Sequence, residues 1–400
     1  MARCTGVLTG RRCAGTVTRV NRVPHGAIAI RGGRDLTGER LDLHIVDGVI
    51  AVAGASWRGQ VLDVTGCTVA PGFVDLQVNG AVGADLTASP DRLWDVAAAI
   101  PRFGVTSFLP TIITSPRATV DHALQVLAAG PPDGWLGARP IGWHLEGPMI
   151  AAARAGAHGV DHIVAPSAEV ISGWSRDAGV AMVTLAPERA GALIVVAELV
   201  KRGVVVAAGH TDADDDAAHA AVDVGLAAVT HLFNAMAPMH HRTSTLAAAA
   251  LTDLPVASSL IADGVHVDPR MLRLAWRALG ADRRILISDA AAPLGAPAGR
   301  YVLAGHEVVS DGRSCRTTSG SLAGGVTGLD ACVRNVVAMT GCAPVEAVAA
   351  VTESPARLLG RADLGALRPG AAGDVVVLDV NLEVVATIVA GVVLYRRTHR

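Results

Sequence analysis

Eight apolar runs, each closing on polar or glycine-containing residues, constrain this chain more than any other feature. They cover residues 68–78, 106–111, 140–145, 180–185, 204–208, 227–230, 256–261 and 285–288. Ala-rich stretches with helical character fill most of the gaps, among them 89–103, 212–224 and 269–279. Eight β-then-α units over roughly 290 residues are what a closed (β/α)8 barrel requires. An open doubly wound sheet would show fewer units and a glycine-rich first turn, and no GxGxxG is present. The chain therefore reads as α/β, built on a TIM-like (β/α)8 barrel.

The two ends have another texture. Short alternating segments at 27–30 and 43–52 are separated by Gly and Asp turns, and similar segments return at 375–378, 384–389 and 392–395. Such segments read as small β-strands. Residues 1–66 and 367–400 are expected to meet in one small β-sandwich, with residues 67–366 forming the barrel. Apolar residues make up 51% of the 400 and aromatics only 3%, so the core must be aliphatic. A net charge of −2 gives no field suited to nucleic acid or an anionic membrane. Mean hydropathy is positive, yet no apolar stretch reaches the roughly 18 residues of a membrane span. The best candidate, 191–200, contains Glu198 and runs into Lys201-Arg202. Arg11-Arg12 is followed by no sustained apolar run and is not read as an export signal. Six cysteines without a CxxC pair read as reduced thiols of a cytoplasmic protein.

In a barrel the C-terminal strand ends carry the chemistry. The third run ends in His144-Leu145-Glu146-Gly147-Pro148, the fifth in Gly209-His210, and the sixth in His231-Leu232-Phe233-Asn234-Ala235-Met236. The seventh leads to Asp263-Gly264-Val265-His266 and the eighth to Ser288-Asp289. Glu146, His210 and His231 make a coherent set of one carboxylate and two imidazoles. Three protein ligands leave a fourth position open for water, the pattern of a catalytic zinc site. Asp289 is placed to take a proton from that water and return it to a leaving amine. His144 lies two residues before Glu146 and so points the same way; it reads as support for the site. Seven other histidines (His25, His44, His122, His162, His219, His306, His399) read as ordinary surface or core residues.

Taken together, these motifs resemble the N-acetylglucosamine-6-phosphate deacetylases of the amidohydrolase superfamily. The matching residues include Pro71-Gly72-Phe73-Val74-Asp75-Leu76-Gln77-Val78-Asn79-Gly80, HLEGP at 144–148 and Gly156-Ala157-His158. They continue through Thr184-Leu185-Ala186-Pro187-Glu188, THLFNAM at 230–236, 262–267, 288–293, Leu322-Ala323-Gly324 and Ser354-Pro355-Ala356. The resemblance runs from about residue 40 onward, and HLEGP followed by THLFNAM is its most specific part.

The resemblance implies removal of an acetyl group from an amino-sugar 6-phosphate. Glu146, His210 and His231 would then hold one divalent metal, most simply Zn²⁺, and Asp289 would act as acid and base. His266 would lie against the acetyl carbonyl. Ala157, His158, Asn234, Ala235 and the loop Leu322-Ala323-Gly324 would contact sugar or phosphate. Arg242 would grip the phosphate, from the neighbouring subunit of a homodimer. Gln77 and Asn79 stand where many superfamily members carry an HxH pair for a second metal, and the sole lysine, Lys201, is at the wrong end of its strand to bridge two ions. One ion per chain is the expectation. The chain departs from the family at 151–155, which is Ala-rich, at Thr243-Ser244-Thr245 after Arg242, and at Gly325, often serine elsewhere. Alternatives are the same chemistry on N-acetylgalactosamine 6-phosphate, another amidohydrolase acting on a cyclic amide or dipeptide, and a non-catalytic barrel.

Overall fold

The computed structural model describes residues 26–52 and 59–398. Arg11-Arg12, Cys4, Cys13, His25 and His399 lie outside the described residues. Eight parallel strands form the barrel: β1 (Phe73–Val78), β2 (Val105–Ile113), β3 (Trp143–Glu146), β4 (Val180–Leu185), β5 (Val205–Ala208), β6 (Ala228–Val229), β7 (Ala257–Ile261) and β8 (Arg284–Ile287). Neighbours pair in that order, and a parallel bridge from Val78 to Ala290 joins the last strand's continuation to the first. Strands covered on both faces need apolar residues throughout, which is why they read as continuous runs. Val74, Leu76, Leu109, Met182, Ile261, Ile285 and Ile287 pack inside the barrel, while Phe108, Leu145, Val183, Leu185 and Leu286 meet the surrounding helices.

Two expected segments divide. The third run breaks at Gly142 (φ 118°), leaving Arg139–Pro140 as a separate short strand against β2. The first run breaks at Gly72, and its first part, Thr68–Pro71, is not a barrel strand. Thr68–Pro71 pairs antiparallel with Val375–Leu378 in the small sheet. A Cβ at Gly72 would lie 2.2 Å from Thr106 Oγ1, so the chain passes from sheet to barrel through a point where only glycine fits. The crossover from one unit to the other therefore falls five residues beyond the expected start of the barrel at 67.

The terminal segments do share one sheet, of eight strands. Ile28–Arg34, Arg40–Val46, Val49–Ile50, Gln60–Asp63 and Thr68–Pro71 join Val375–Leu378, Val384–Val389 and Val392–Arg396. The strand period of two sorts its residues. Val375 and Val377 enter the sheet's own core with Ile28, Ile30 and Ile45, whereas Val376 and Leu378 pack on the barrel. A partly buried ion pair between Arg139 and Asp374 links the two units; Asp374 also accepts the Ala390 N–H at 3.0 Å.

Strands β1 and β8 splay apart at their lower ends. Val351 O accepts the Val74 N–H (2.7 Å) and Ala350 O accepts the Leu286 N–H (2.9 Å), so this connecting segment fills the gap. Above it sits Asp75, whose Oδ1 accepts from the backbone N–H groups of Ser288 (3.2 Å) and Gln77 (3.3 Å). Burial pushes the Asp75 carboxyl up to about 7 despite these bonds. A carboxyl raised in the folded state gives stability that is full below its unfolded value and is lost as pH rises towards 7. The melting temperature of Asp75→Asn relative to the parent should therefore be more favourable at pH 8 than at pH 5. An equal difference at both values would contradict this.

A three-stranded sheet, Gly299–Leu303, His306–Ser310 and Cys315–Thr317, follows β8 and was not anticipated. Its first turn, Ala304-Gly305, has both φ angles positive (49° and 85°), the two-residue hairpin geometry that matches strand twist. Leu303, Val308 and Cys315 pack on Ile113 at the end of β2, and Asp85 fixes the turn by accepting the Ala304 N–H at 2.6 Å. The hairpin thus roofs one side of the barrel mouth.

Candidate active site

A cleft of about 470 Å³ opens at the C-terminal ends of the barrel strands. Glu146 closes β3 at its floor. Three imidazoles surround its carboxylate: His231 Nε2 at 2.8 Å from Oε1, His210 Nε2 at 3.3 Å from Oε1, and His158 Nε2 at 3.5 Å from Oε2. Gln77, from the end of β1, donates its Nε2 to the same Oε1 at 3.0 Å. Burial alone would raise the Glu146 carboxyl; the bonds from His158, His210 and His231 outweigh it and hold the group well below its usual range. A carboxylate so held is ionised throughout the working range.

The other nitrogen of each ring fixes its tautomer. His210 Nδ1 donates to the Arg154 carbonyl at 2.8 Å, which leaves the Nε2 lone pair towards Glu146. That contact uses only main chain; the one polar side chain of the Ala-rich 151–155 segment, Arg154, lines the cleft and pairs through Nε with Asp212 Oδ1 at 2.5 Å. Glu188 braces the loop that carries His210 by accepting from Thr211 Oγ1 (2.5 Å) and the Asp212 N–H (2.8 Å). His158 Nδ1 accepts the Thr114 N–H at 3.3 Å, so in the neutral ring the proton sits on Nε2. Burial, then the charge of His210, pushes His158 down to about 4, and the ring is neutral near pH 7. His231 Nδ1 is buried with no hydrogen-bond partner among the described residues. His144 is excluded as a ligand, because both its nitrogens are engaged. Its Nδ1 donates to Leu76 O (3.2 Å) and its Nε2 accepts from Thr184 Oγ1 (2.7 Å), which in turn accepts from Thr230 Oγ1 (2.7 Å).

Asp289 follows β8, 8% exposed. Asn79 Nδ2 donates to its Oδ1 at 2.8 Å, and the Oδ1 of Asn79 is itself buried without a partner among the described residues. Burial and then the charge of Glu146 push Asp289 up to about 6, against the opposing pull of His231, His266 and Asn79. His266 lines the opposite wall, its Nδ1 donating to Asp263 Oδ2 at 2.7 Å. Non-glycine residues at strand ends adopt left-handed backbone here: His210 at φ 50°, His231 at 33° and Asp289 at 47°. Strained conformations of this kind cluster where a side chain must be aimed off its strand.

Most residues expected in the site line this cleft: Glu146, Ala157, His158, His210, His231, Asn234, Ala235, His266, Asp289, Leu322 and Gly324. Three placements differ from expectation. Ala323 does not line the cleft; its side chain is buried with Cys315 and its N–H is committed to Cys315 O at 2.9 Å, so only its neighbours in the loop face the cleft. Arg242 is exposed and stands apart from the cleft of its own chain. His158, expected at the sugar, has its ring centroid 4.2 Å from that of His210. Among the described residues, the group whose donor atoms all lie within 4.8 Å of one another is Glu146, His158 and His210. Gln77 and Asn79 were read only as missing ligands of a second metal, yet they hold the two catalytic-looking carboxylates. The sequence does carry the signal: both lie at the end of β1, two residues apart on one face. Gly325, where serine is common in the family, is demanded by this chain, since a Cβ would lie 2.3 Å from Ser288 O.

A carboxylate and imidazoles converging at the mouth of a barrel, with a second carboxyl of raised pKa facing them, define a metal-assisted hydrolase. The chain belongs to the amidohydrolase family, whose family model matches residues 68–394. Its relatives are more particular. It is 36% identical to the N-acetylglucosamine-6-phosphate deacetylase of Bos taurus, over 92% of this chain and 91% of that one. It is 37% identical to the N-acetylgalactosamine-6-phosphate deacetylase of Escherichia coli O157:H7, over 89% and 96%. The crystal structure of the N-acetylglucosamine-6-phosphate deacetylase of Pasteurella multocida superposes with a TM-score of 0.84, at 27% identity over 92% of this chain and 99% of that one.

Proposed function

We propose that this chain hydrolyses N-acetylglucosamine 6-phosphate to glucosamine 6-phosphate and acetate, as a step in amino-sugar breakdown. The observation that carries the reading is the pairing of Glu146, ringed by His158, His210 and His231, with Asp289 across one cleft.

Glu146, His210 and His231 would hold one divalent ion, most simply Zn²⁺, and the residues fit such an ion: the carboxylate is ionised and His210 Nε2 keeps its lone pair. A bound zinc supplies Lewis acidity, drawing charge towards a carbonyl oxygen and making water a stronger acid. Asp289 takes the proton from the attacking water and later delivers it to the departing amine. Asn79 fixes that carboxyl in rotation. His266 presents its free nitrogen to the acetyl carbonyl oxygen, where negative charge develops. His158 donates from Nε2 to Glu146 Oε2 and keeps that carboxylate turned into the cleft. Ala157, Asn234, Ala235 and the 322–324 loop would bound the sugar, Ala323 acting only through the loop's backbone shape. Arg242 of a second subunit would complete the phosphate grip in a homodimer. No helix among the described residues is long and apolar enough to cross a membrane; a place in the cytoplasm, with a small phosphorylated sugar as the partner, is part of the proposal.

The test is acetate release from a panel of N-acetylhexosamine 6-phosphates and their unphosphorylated counterparts. Release from the glucosamine epimer, with a large loss when phosphate is absent, is the expected result. Faster turnover of the galactosamine epimer would move the assignment to that sugar, and no release from any member would overturn it.

A further inference from the structure

We infer that Asp263 is a positioning residue that keeps His266 doubly protonated, so that a charged imidazolium faces the acetyl oxygen. The inference rests on the deacetylase reading for the identity of that oxygen, but the geometry behind it is independent. Asp263 Oδ1 accepts two backbone N–H groups, from Val265 at 2.8 Å and His266 at 2.9 Å. Its Oδ2 accepts the Nδ1–H of His266 at 2.7 Å. The side chains are 2% and 6% exposed. Asn335, on the helix Leu329–Thr340, secures the segment by donating to Ala262 O at 2.8 Å.

With Nδ1 committed as a donor, only Nε2 is left for the cleft that the ring lines. A neutral ring would then present a lone pair to the carbonyl oxygen and repel the charge that develops there. Only the doubly protonated ring can donate, and a buried cation needs a buried anion beside it. Asp263 meets that need. Its own carboxyl is pressed upwards by burial, but the His266 bond outweighs this and holds it below its usual range. Asp289 faces His266 from the end of β8, and the two charges attract. Cys332, on the helix behind, is a thiol kept neutral by burial and by the nearby charges of Asp263 and Asp75.

Replacement of Asp263 by asparagine tests this with unusual directness. The amide oxygen must still accept two backbone N–H groups, so the NH₂ is turned towards Nδ1. An NH₂ can only donate there, so Nδ1 gives up its proton and the neutral ring carries hydrogen on Nε2. The donor to the carbonyl oxygen survives while the charge is lost. In the metal-loaded enzyme, Asp263→Asn should show kcat lowered by about tenfold to a hundredfold at neutral pH, with KM little changed. A variant with kcat within twofold of the parent's would overturn the inference.

A second measurement needs no Asp263 variant. In ¹⁵N-histidine-labelled holoenzyme, the His266 ring signals are those missing from His266→Gln, and both nitrogens should be protonated at the pH of greatest turnover. A single protonated nitrogen would overturn the assignment. An unmutated enzyme that shows two protonated nitrogens yet releases no acetate would instead sink the deacetylase reading.

Discussion

Replacing Asp289 by asparagine should leave the metal content unchanged and lower kcat by about 10²–10⁴-fold, the usual worth of a positioned acid–base group. The amide keeps the shape and can still pair with Asn79, but it can neither accept the proton of water nor hand one to the amine. The pH dependence follows from the same carboxyl. Its basic form is the one that begins the reaction, and burial with the neighbouring charge of Glu146 places its ionisation at about 6. Activity should therefore be full above that value and decline by about tenfold per unit as pH falls below it. Glu146 contributes nothing to this limb, because its imidazole partners hold it ionised. Metal analysis and a pH–rate profile check both parts; an Asp289→Asn enzyme within tenfold of the parent would remove the proposed acid and base.

The second large effect separates two histidines that distance alone does not rank. His231→Gln should retain no ion after dialysis and lose turnover with it, whereas His158→Gln should keep close to one equivalent, its affinity lowered by no more than about 10–100-fold. The reason lies in their second nitrogens. His158 Nδ1 receives a main-chain N–H, which forces the proton onto Nε2 and makes that atom a donor to Glu146. His231 Nδ1 has no partner among the described residues and can hold the proton, freeing Nε2. The parent should bind about one equivalent, since Gln77 and Asn79 offer neutral amides at the end of β1 and spend them on Glu146 and Asp289. Retention by His231→Gln with loss by His158→Gln would exchange their roles, and two tightly held ions in the parent would contradict the single site.

Much of this was legible in the residues. The eight apolar runs exist because barrel strands are buried on both faces, and polar residues at or just beyond the ends of several runs line the cleft. Glu146, His210, His231, His266 and Asp289 were found that way. What sequence could not give is direction within a loop. Ala323 and Leu322 are adjacent apolar residues, and only the backbone bond from Ala323 to Cys315 decides which of them faces the cleft. Nor could it distinguish His158 as a neighbour of Glu146 from His158 as a sugar contact, because the deciding bond comes from Thr114, 44 residues away. The split of the first run at Gly72 was hidden for a related reason: 68–78 is unbroken in hydropathy, and the division is a steric matter between Gly72 and Thr106. The hairpin 299–317 carried an alternating pattern, but its Ala-Gly turn lacks the Asn-Gly or Asp-Gly pair that usually marks such a turn.

The sharing of the small sheet between the two ends of the chain has a consequence for biosynthesis. Thr68–Pro71 leaves the ribosome early, yet its partner Val375–Leu378 follows only after roughly 300 further residues, about 15–60 s later at ordinary elongation rates. During that interval an aliphatic strand edge is unpaired, the kind of surface that recruits other chains. The barrel floor waits as well, because Ala350 and Val351 must arrive before β1 and β8 can be bridged at their lower ends. Newly made protein should therefore depend on chaperones until the last strands emerge, and truncation before residue 375 should give aggregates rather than a smaller enzyme.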